Sequence, residues 1–237
     1  ADGDGTYTVS WVEQPTRAAD TYVLQEATDA AFTVGLRTVC TTSNQSCPVT
    51  GRLADTYHYR VKGRNYLGES DWSEAETATV LLPGTPALES IDNSDGDGAY
   101  LVDWSEAVRA SSYTLEEDDS AAFSSPSIVF SGAASSWSAS GKQAGTYHYR
   151  VRASGSTGTG AWSGVQAATV LPPGTPTLDS IENIDGDGTY TITWGAVVDA
   201  TGYELQEDNN ASFTSPATIY AGTSQTQTVS GQQSDIY

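Results

Sequence analysis

The sequence predicts an all-β protein, built as tandem seven-stranded antiparallel β-sandwiches. Three observations lead there. The string Asp-Gly-Asp-Gly-x-Tyr-x-(Val/Ile)-x-Trp occurs at Asp2 to Trp11, Asp95 to Trp104 and Asp185 to Trp194, offsets of 93 and 90. A second string, Thr-Tyr-His-Tyr-Arg-Val, occurs at Thr56 to Val61 and again at Thr146 to Val151. A period of this length exceeds a solenoid unit and suits small domains that each bury a core of their own. Finally, 13 Tyr and 6 Trp lie among Thr, Val and 23 Gly with no Met, a composition of short strands and tight turns rather than helices.

The period divides the 237 residues into 1–82, which lacks a first strand, 83–171, which is complete, and 172–237, which lacks the last two strands. The middle repeat supplies the template. After Pro83-Gly84-Thr85-Pro86, Leu88 to Ile91 is a short first strand. Asp95-Gly96-Asp97-Gly98 is a turn, because Asp-Gly supplies the positive φ that a tight reversal needs. Tyr100, Val102 and Trp104 alternate with Leu101 and Asp103, so a second strand turns its aromatic face inward. Tyr113 to Glu117 is the third strand, Ser127 to Phe130 the fourth and Ser135 to Ala139 the fifth. On the sixth, Tyr147, Tyr149 and Val151 face in while His148, Arg150 and Arg152 face out. Trp162 and Val165 to Val170 close the unit before Pro172.

Charge removes one class of partner. With 10 basic and 30 acidic residues the formal charge is −20, whereas nucleic-acid binding needs Lys and Arg to displace counterions. No apolar run approaches the roughly 18 residues that span a bilayer as a helix, so this segment is not expected to insert. The acidity favours a self-repelling surface able to attract divalent cations.

The residues in these strands resemble a fibronectin type III domain. The likeness rests on the second-strand Trp (Trp11, Trp104, Trp194), the third-strand Tyr-x-Leu (Tyr22-Val23-Leu24, Tyr113-Thr114-Leu115, Tyr203-Glu204-Leu205) and the sixth-strand Tyr-x-Tyr-Arg-Val. It spans essentially the whole chain. It implies an immunoglobulin-like sandwich and assigns a tyrosine corner to Tyr57, Tyr147 and Tyr237. The Asp-Gly-rich first turn and the Leu-Gln-Glu of the third strand resemble modules of large bacterial secreted or surface proteins. No Arg-Gly-Asp tripeptide is present.

The ends read as a window on a longer tandem array. Repeat one opens directly in its turn, and repeat three stops at a residue aligned with Tyr147. Between repeats, Leu81-Leu82-Pro83-Gly84-Thr85-Pro86 and Leu171-Pro172-Pro173-Gly174-Thr175-Pro176 restrict φ and predict extended, semi-rigid joints.

Cys40 and Cys47, seven apart, are the only cysteines. A metal site would need two more soft ligands, so a disulfide joining two arms of a hairpin is expected, and with it an oxidising compartment. Asn93-x-Asp95-x-Asp97-Gly98 and Asn183-x-Asp185-x-Asp187-Gly188 match the first half of a calcium loop but lack its bidentate Glu. A plain turn is the expected use, and calcium is the one cofactor the pattern would admit. Asn44-Gln45-Ser46 and Asn210-Ala211-Ser212 are glycosylation sequons in loops. Outward Arg60 and Lys62, with Arg150 and Arg152, are placed to stack on Trp72 and Trp162, a partial form of the Trp–Arg ladder of cytokine-receptor relatives; bare, the same Trp rings would suit carbohydrate stacking. His58 and His148 lack a nucleophile partner, and Glu116-Glu117 with Asp118-Asp119 read as a solvated rim rather than a catalytic pair.

No constellation points to catalysis. The expected role is a non-enzymatic extracellular or cell-surface structural protein, a tandem-repeat fibre or stalk whose partners are further copies of the repeat or chain, with glycans where sequons are used. The alternative is a spacer or carbohydrate-binding accessory module of a larger secreted hydrolase or adhesin.

Overall fold

A computed structural model describes residues 3–13 and 18–231, among which there is no helix. The chain divides into two compact units, Ala1–Thr169 and Val170–Tyr237. In the first repeat the strands are β1 (Tyr7–Ser10), β2 (Thr21–Ala27), β3 (Arg37–Thr42), β4 (Ser46–Val49), β5 (Asp55–Asn65), β6 (Gly68–Glu69) and β7 (Glu76–Val80). β1 pairs antiparallel with β4, and a second sheet runs β3-β2-β5, with β6 and β7 both on the far edge of β5. The two sheets share one core of Leu24, Cys47, Val49, Tyr57, Tyr59 and Val80, joined by Tyr7, Val9 and Trp11. This is a sandwich: alternate residues of each strand point inward and meet those of the other sheet.

The second repeat reproduces the plan with β8 (Tyr100–Asp103), β9 (Ser112–Asp118), β10 (Ser127–Gly132), β11 (Ser136–Ala139), β12 (Gly145–Gly155), β13 (Gly158–Trp162) and β14 (Gln166–Val170). β8 pairs with β11, and β10-β9-β12 carries β13 and β14 on its edge. Tyr100, Val102 and Trp104 are buried while Leu101 is exposed, the inward face that alternation predicts. Trp104 packs on Tyr113 and Phe130 with centroids 5.9 and 5.6 Å away.

Two details differ from expectation. The first strand shrinks to a single bridge, Leu88 opposite Trp104. Pro86 has no N–H to extend pairing upstream, and the chain turns at Asn93 downstream. The last strand is also broken, at Ser73 in repeat one and Ser163 in repeat two. Ser163 N–H donates to the Val151 carbonyl (2.8 Å), and its hydroxyl accepts from Val151 N–H (3.0 Å). Ser73 makes the same pair with Val61. One side chain thus replaces the missing ladder carbonyl, so the break leaves no buried amide orphaned.

The second unit contains β15 (Tyr190–Thr193) paired with β18 (Thr226–Val229) and β16 (Tyr203–Glu207) paired with β17 (Ala217–Gly222). Its core is Ile192, Trp194, Leu205 and Val229.

Candidate functional site

The richest polar cluster is internal. On β2 the inward alternation Tyr22, Leu24, Glu26 carries a carboxylate into the sandwich. Glu26 is 2% exposed; it accepts from Arg52 Nε (2.7 Å), Arg37 Nε (2.9 Å) and the Tyr59 hydroxyl. Tyr59 in turn shares a 2.8 Å hydrogen bond with Tyr7. Burial alone would push the Glu26 carboxyl up; the bonds from Tyr59, Arg52 and Arg37 outweigh it and hold the carboxyl below its usual range. Burial, with Glu26 alongside, pushes the Tyr59 hydroxyl far up, so it stays a donor. Repeat two rebuilds the cluster: Glu117 accepts from Lys142 (2.7 Å) and Tyr149 (2.5 Å), and Tyr149 pairs with Tyr100 at 2.7 Å. Every proton-bearing partner is committed to a structural bond.

The expectation of a solvated rim is therefore corrected at Glu116, Glu117 and Asp118, while Asp119 is exposed as expected. Glu117 belongs to this cluster, and Glu116 Oε2 binds Arg150 at 2.7 Å. Asp118 is buried, its carboxylate accepting from Ser125 N–H (2.8 Å) and Ser120 N–H (2.9 Å). These backbone bonds, Ser125 foremost, hold the Asp118 carboxyl below its usual range. The reason is the loop: its amides need an acceptor once they leave the ladder.

On the opposite face of β5 and β12 lies the expected ladder, with one more rung. The Arg60 guanidinium sits 4.5 Å from the Trp72 ring and Lys62 Nζ 4.7 Å from it. Arg150 and Arg152 sit 4.5 and 4.3 Å from Trp162. The added rung is Phe32 over Arg60 and Phe123 over Arg150, each 4.2 Å away. Both Phe residues adopt left-handed backbone, φ 56° and 49°. Period-2 reading misses them because they stand in turns, and turns carry no alternation.

The disulfide expectation meets a correction of place. Cys40 and Cys47 are bonded, with Cα atoms 6.6 Å apart. They are not on two arms of one hairpin: β3 pairs with β2 and β4 with β1. The chain crosses between sheets at 43–45, so the bond staples one sheet to the other.

In the two Asp-Gly turns the polar groups serve the turn itself. Asp97 Oδ1 accepts from Ala99 N–H (2.7 Å) and Asp95 Oδ1 from Asp97 N–H (3.4 Å). Asn93 Nδ2 donates to the Asp97 and Thr169 carbonyls. Asp185 and Asp187 repeat the arrangement with Asp187 and Thr189 N–H, and Asn183 donates nothing comparable among the described bonds, its carbonyl accepting from Gly186 N–H. Among the described residues no three His, Cys, Asp or Glu side chains converge as a metal site. Asn44 stands exposed in the sheet-crossing turn, and Asn210 bonds Thr214 Oγ1 at 2.6 Å. Tyr57 and Tyr147 donate to the carbonyls of Leu53 and Gln143, each at 3.0 Å, closing a four-residue corner; Tyr237 lies outside the described residues.

Within the first unit the two repeats are keyed together by the β12–β13 hairpin. Its tip residue Thr157 is 2% exposed. Thr157 Oγ1 donates to the Leu81 carbonyl (2.7 Å), its own carbonyl accepts from Ala54 N–H (2.9 Å), and Ser156 Oγ donates to the Asp4 carbonyl (3.1 Å). The linker lies against the hairpin, held by Arg109 on the Leu82 carbonyl and by Gly84 N–H on the Val108 carbonyl. Gly160 makes room for it: a Cβ there would stand 2.6 Å from the Pro83 carbonyl oxygen.

The pairing of two edge-split sheets around one Trp–Tyr core decides the fold. These repeats are fibronectin type III-like. No family model matches the chain, and no curated protein does. Among solved structures it is similar to FN3tt at 20% identity, over 39% of this chain and 98% of that one, TM-score 0.32. It is similar to the FN1–FN3 domains of chicken CNTN1 at 12% identity, over 96% and 84%, TM-score 0.31. The sixth fibronectin type III domain from human fibronectin type III domain containing protein 3 matches at 23% identity, over 42% and 96%, TM-score 0.36.

Proposed function

We propose that this chain is a non-enzymatic, extracellular structural protein, a tandem-repeat fibre or cell-surface stalk in which the fibronectin type III-like repeats carry load. The observation that carries this reading is the keyed joint. A buried hairpin tip, a proline linker and side chain-to-carbonyl bonds on both sides fix one repeat on the next, where a spacer needs only a flexible tether. The buried clusters around Glu26 and Glu117 give the first two sandwiches a committed interior, and a net charge of −20 limits lateral clumping. Arg60, Lys62, Arg150 and Arg152 occupy the Trp72 and Trp162 rings that sugar stacking would use, which weighs against the carbohydrate-binding alternative.

Residual dipolar couplings test the joint. For the first unit, amides of 18–80 and 86–169 should fit a single alignment tensor. Gly160→Val should split it into two while leaving each sandwich's amide pattern in place. Independent tensors in the unaltered protein would remove the basis for a load-bearing array.

A further inference from the structure

The first repeat joins its two sheets by a different means from the second. Cys40 on β3 stands opposite Leu24, and Cys47 on β4 stands opposite Val9. The same register in the second repeat puts Phe130 opposite Leu115 and Trp137 opposite Val102. In the third, Tyr220 and Gln227 take these places. The rings pack on the core: Phe130 lies 5.6 Å from Trp104, Trp137 lies 6.1 Å from Tyr149, and Tyr220 lies 5.6 Å from Trp194. Among the described residues Trp11 meets only the ring of Tyr22, at 5.5 Å, and Tyr59 only that of Tyr7, at 6.1 Å. One covalent bond thus stands where the second repeat places two large apolar rings, each with its own buried area and ring contact. The joint depends on both sheets that this bond staples. The Asp4 carbonyl, which seats Ser156, precedes β1. Ala54 N–H and the Leu81 carbonyl, which seat Thr157, adjoin the ends of β5 and β7 in the other sheet.

We propose that the Cys40–Cys47 bond is a redox switch for the joint, opened by a dithiol reductant. The step is thiol–disulfide exchange. A thiolate of the reductant attacks the Cys40 sulfur, the more exposed of the two, since Cys47 is buried. Cys47 leaves as a thiolate and takes up a proton. The reductant's second thiol then attacks the mixed disulfide and frees Cys40, which is protonated in turn. The products are two cysteine thiols and one cyclic disulfide, so two electrons and two protons have passed to the protein. With the staple open, the first repeat has neither the bond nor the rings that hold sheet to sheet in the second. Its sheets part, and the groups that seat Ser156 and Thr157 lose their common frame. The second repeat keeps Phe130 and Trp137 and stays folded. In an oxidising compartment the joint is closed; in a reducing one it is released. The inference deepens the load-bearing reading and rests on it, naming the condition under which the repeats let go of one another.

The test uses the full chain and dithiothreitol, with residual dipolar couplings as the readout. In the oxidised chain, amides of 18–80 and 86–169 are expected to fit one tensor. After reduction, shown by two titratable thiols, those of 86–169 should still fit one tensor and those of 18–80 should no longer share it. Amide exchange in β1 and β4 should quicken about tenfold or more while β8 and β11 hold. Cys40→Ser with Cys47→Ser should behave as the reduced chain does, without any reductant. Cys40→Phe with Cys47→Trp, which copies the second repeat, should keep the single tensor in dithiothreitol; if that variant does not fold, the serine pair decides alone. A single tensor in the reduced chain or in the serine variant would overturn the proposal and leave the joint standing. Separate tensors in a folded Phe–Trp variant, or loss of the second repeat's amide pattern on reduction, would overturn it as well. Separate tensors already in the oxidised chain would overturn the load-bearing reading, and the switch with it.

Discussion

Replacing Glu26 by Gln tests whether the buried cluster holds the first sandwich together. The carboxylate gathers one tyrosine and two guanidinium groups. The Arg37 side chain is half-exposed and its pair is screened, so it contributes little. The Arg52 side chain is 12% exposed and that of Glu26 is 3% exposed, so this pair and the Tyr59 bond count in full. Gln keeps the shape but loses the charge and turns one acceptor into a donor facing Tyr59 or Arg52. At about 1.5–3 kcal/mol for a charge-assisted bond, the substitution costs about 2–3 kcal/mol. Amide hydrogen exchange of β5 at pH 7 should then quicken by about 30- to 150-fold. The sign with pH follows from the direction of the shift. The folded carboxyl lies below its unfolded value, so its stabilisation is complete above the unfolded value of about 4.3 and drains away as pH falls through the folded one. The gap between the two proteins should therefore be widest near neutrality and narrow in acid. Equal exchange at pH 7, or a gap of the same size at pH 3 after correction for intrinsic rates, would refute the argument.

Reduction of Cys40–Cys47, or Cys40→Ser with Cys47→Ser, should destabilise the first sandwich by about 2–3 kcal/mol, the closure entropy of so short a loop. Urea unfolding with and without dithiothreitol checks this, with the second repeat's transition unmoved. Arg150→Ala should cost the second sandwich about 1–2 kcal/mol from two ring contacts and the Glu116 bonds, measured the same way. Chelation with EDTA should leave the thermal transitions unchanged, because the carboxylates of Asp95, Asp97, Asp185 and Asp187 already serve backbone amides in their turns; a lowered transition would establish a cation there.

The fold was legible because its signals are local and repeated. Tyr100, Val102 and Trp104 alternate, Asp-Gly marks the reversals, and the second and third copies remove ambiguity about spacing. The Glu26 cluster carried a signal too. Alternation that sends Tyr22 and Leu24 inward must send Glu26 inward as well, and the same holds for Tyr113, Leu115 and Glu117. Reading adjacent acids as a rim gave charge precedence over period, and period wins here because Tyr59 and Tyr149 reach across to bond the carboxylates. The joint offered less. Nothing in Ser156-Thr157 distinguishes a buried hairpin tip from an exposed one, since its burial depends on Leu81 and Ala54 of another repeat. The disulfide partners were readable from count and spacing, whereas their sheet assignment required knowing that the chain crosses the sandwich between them.

The phenylalanine rung shows which part of the ladder stands without the other. Phe213 in the third repeat has φ 46°, close to its counterparts, and its loop is tied by Asp208 to the amides of Asn210 and Ser215. Yet it is 52% exposed, where Phe32 is 7% and Phe123 is 8%, and no guanidinium covers it among the described residues. The left-handed turn is therefore a property of the capped loop and does not depend on the stack. Asp208, like Asp118 and Asp29, satisfies the loop amides and offsets the cost of about 1–2 kcal/mol that a side chain incurs in that conformation. In the third repeat local bonds alone go with the turn, and in the first two the arginine of the sixth strand covers the ring. The turn geometry is thus common to the three repeats, and the cation–π contact is added to it in the first two.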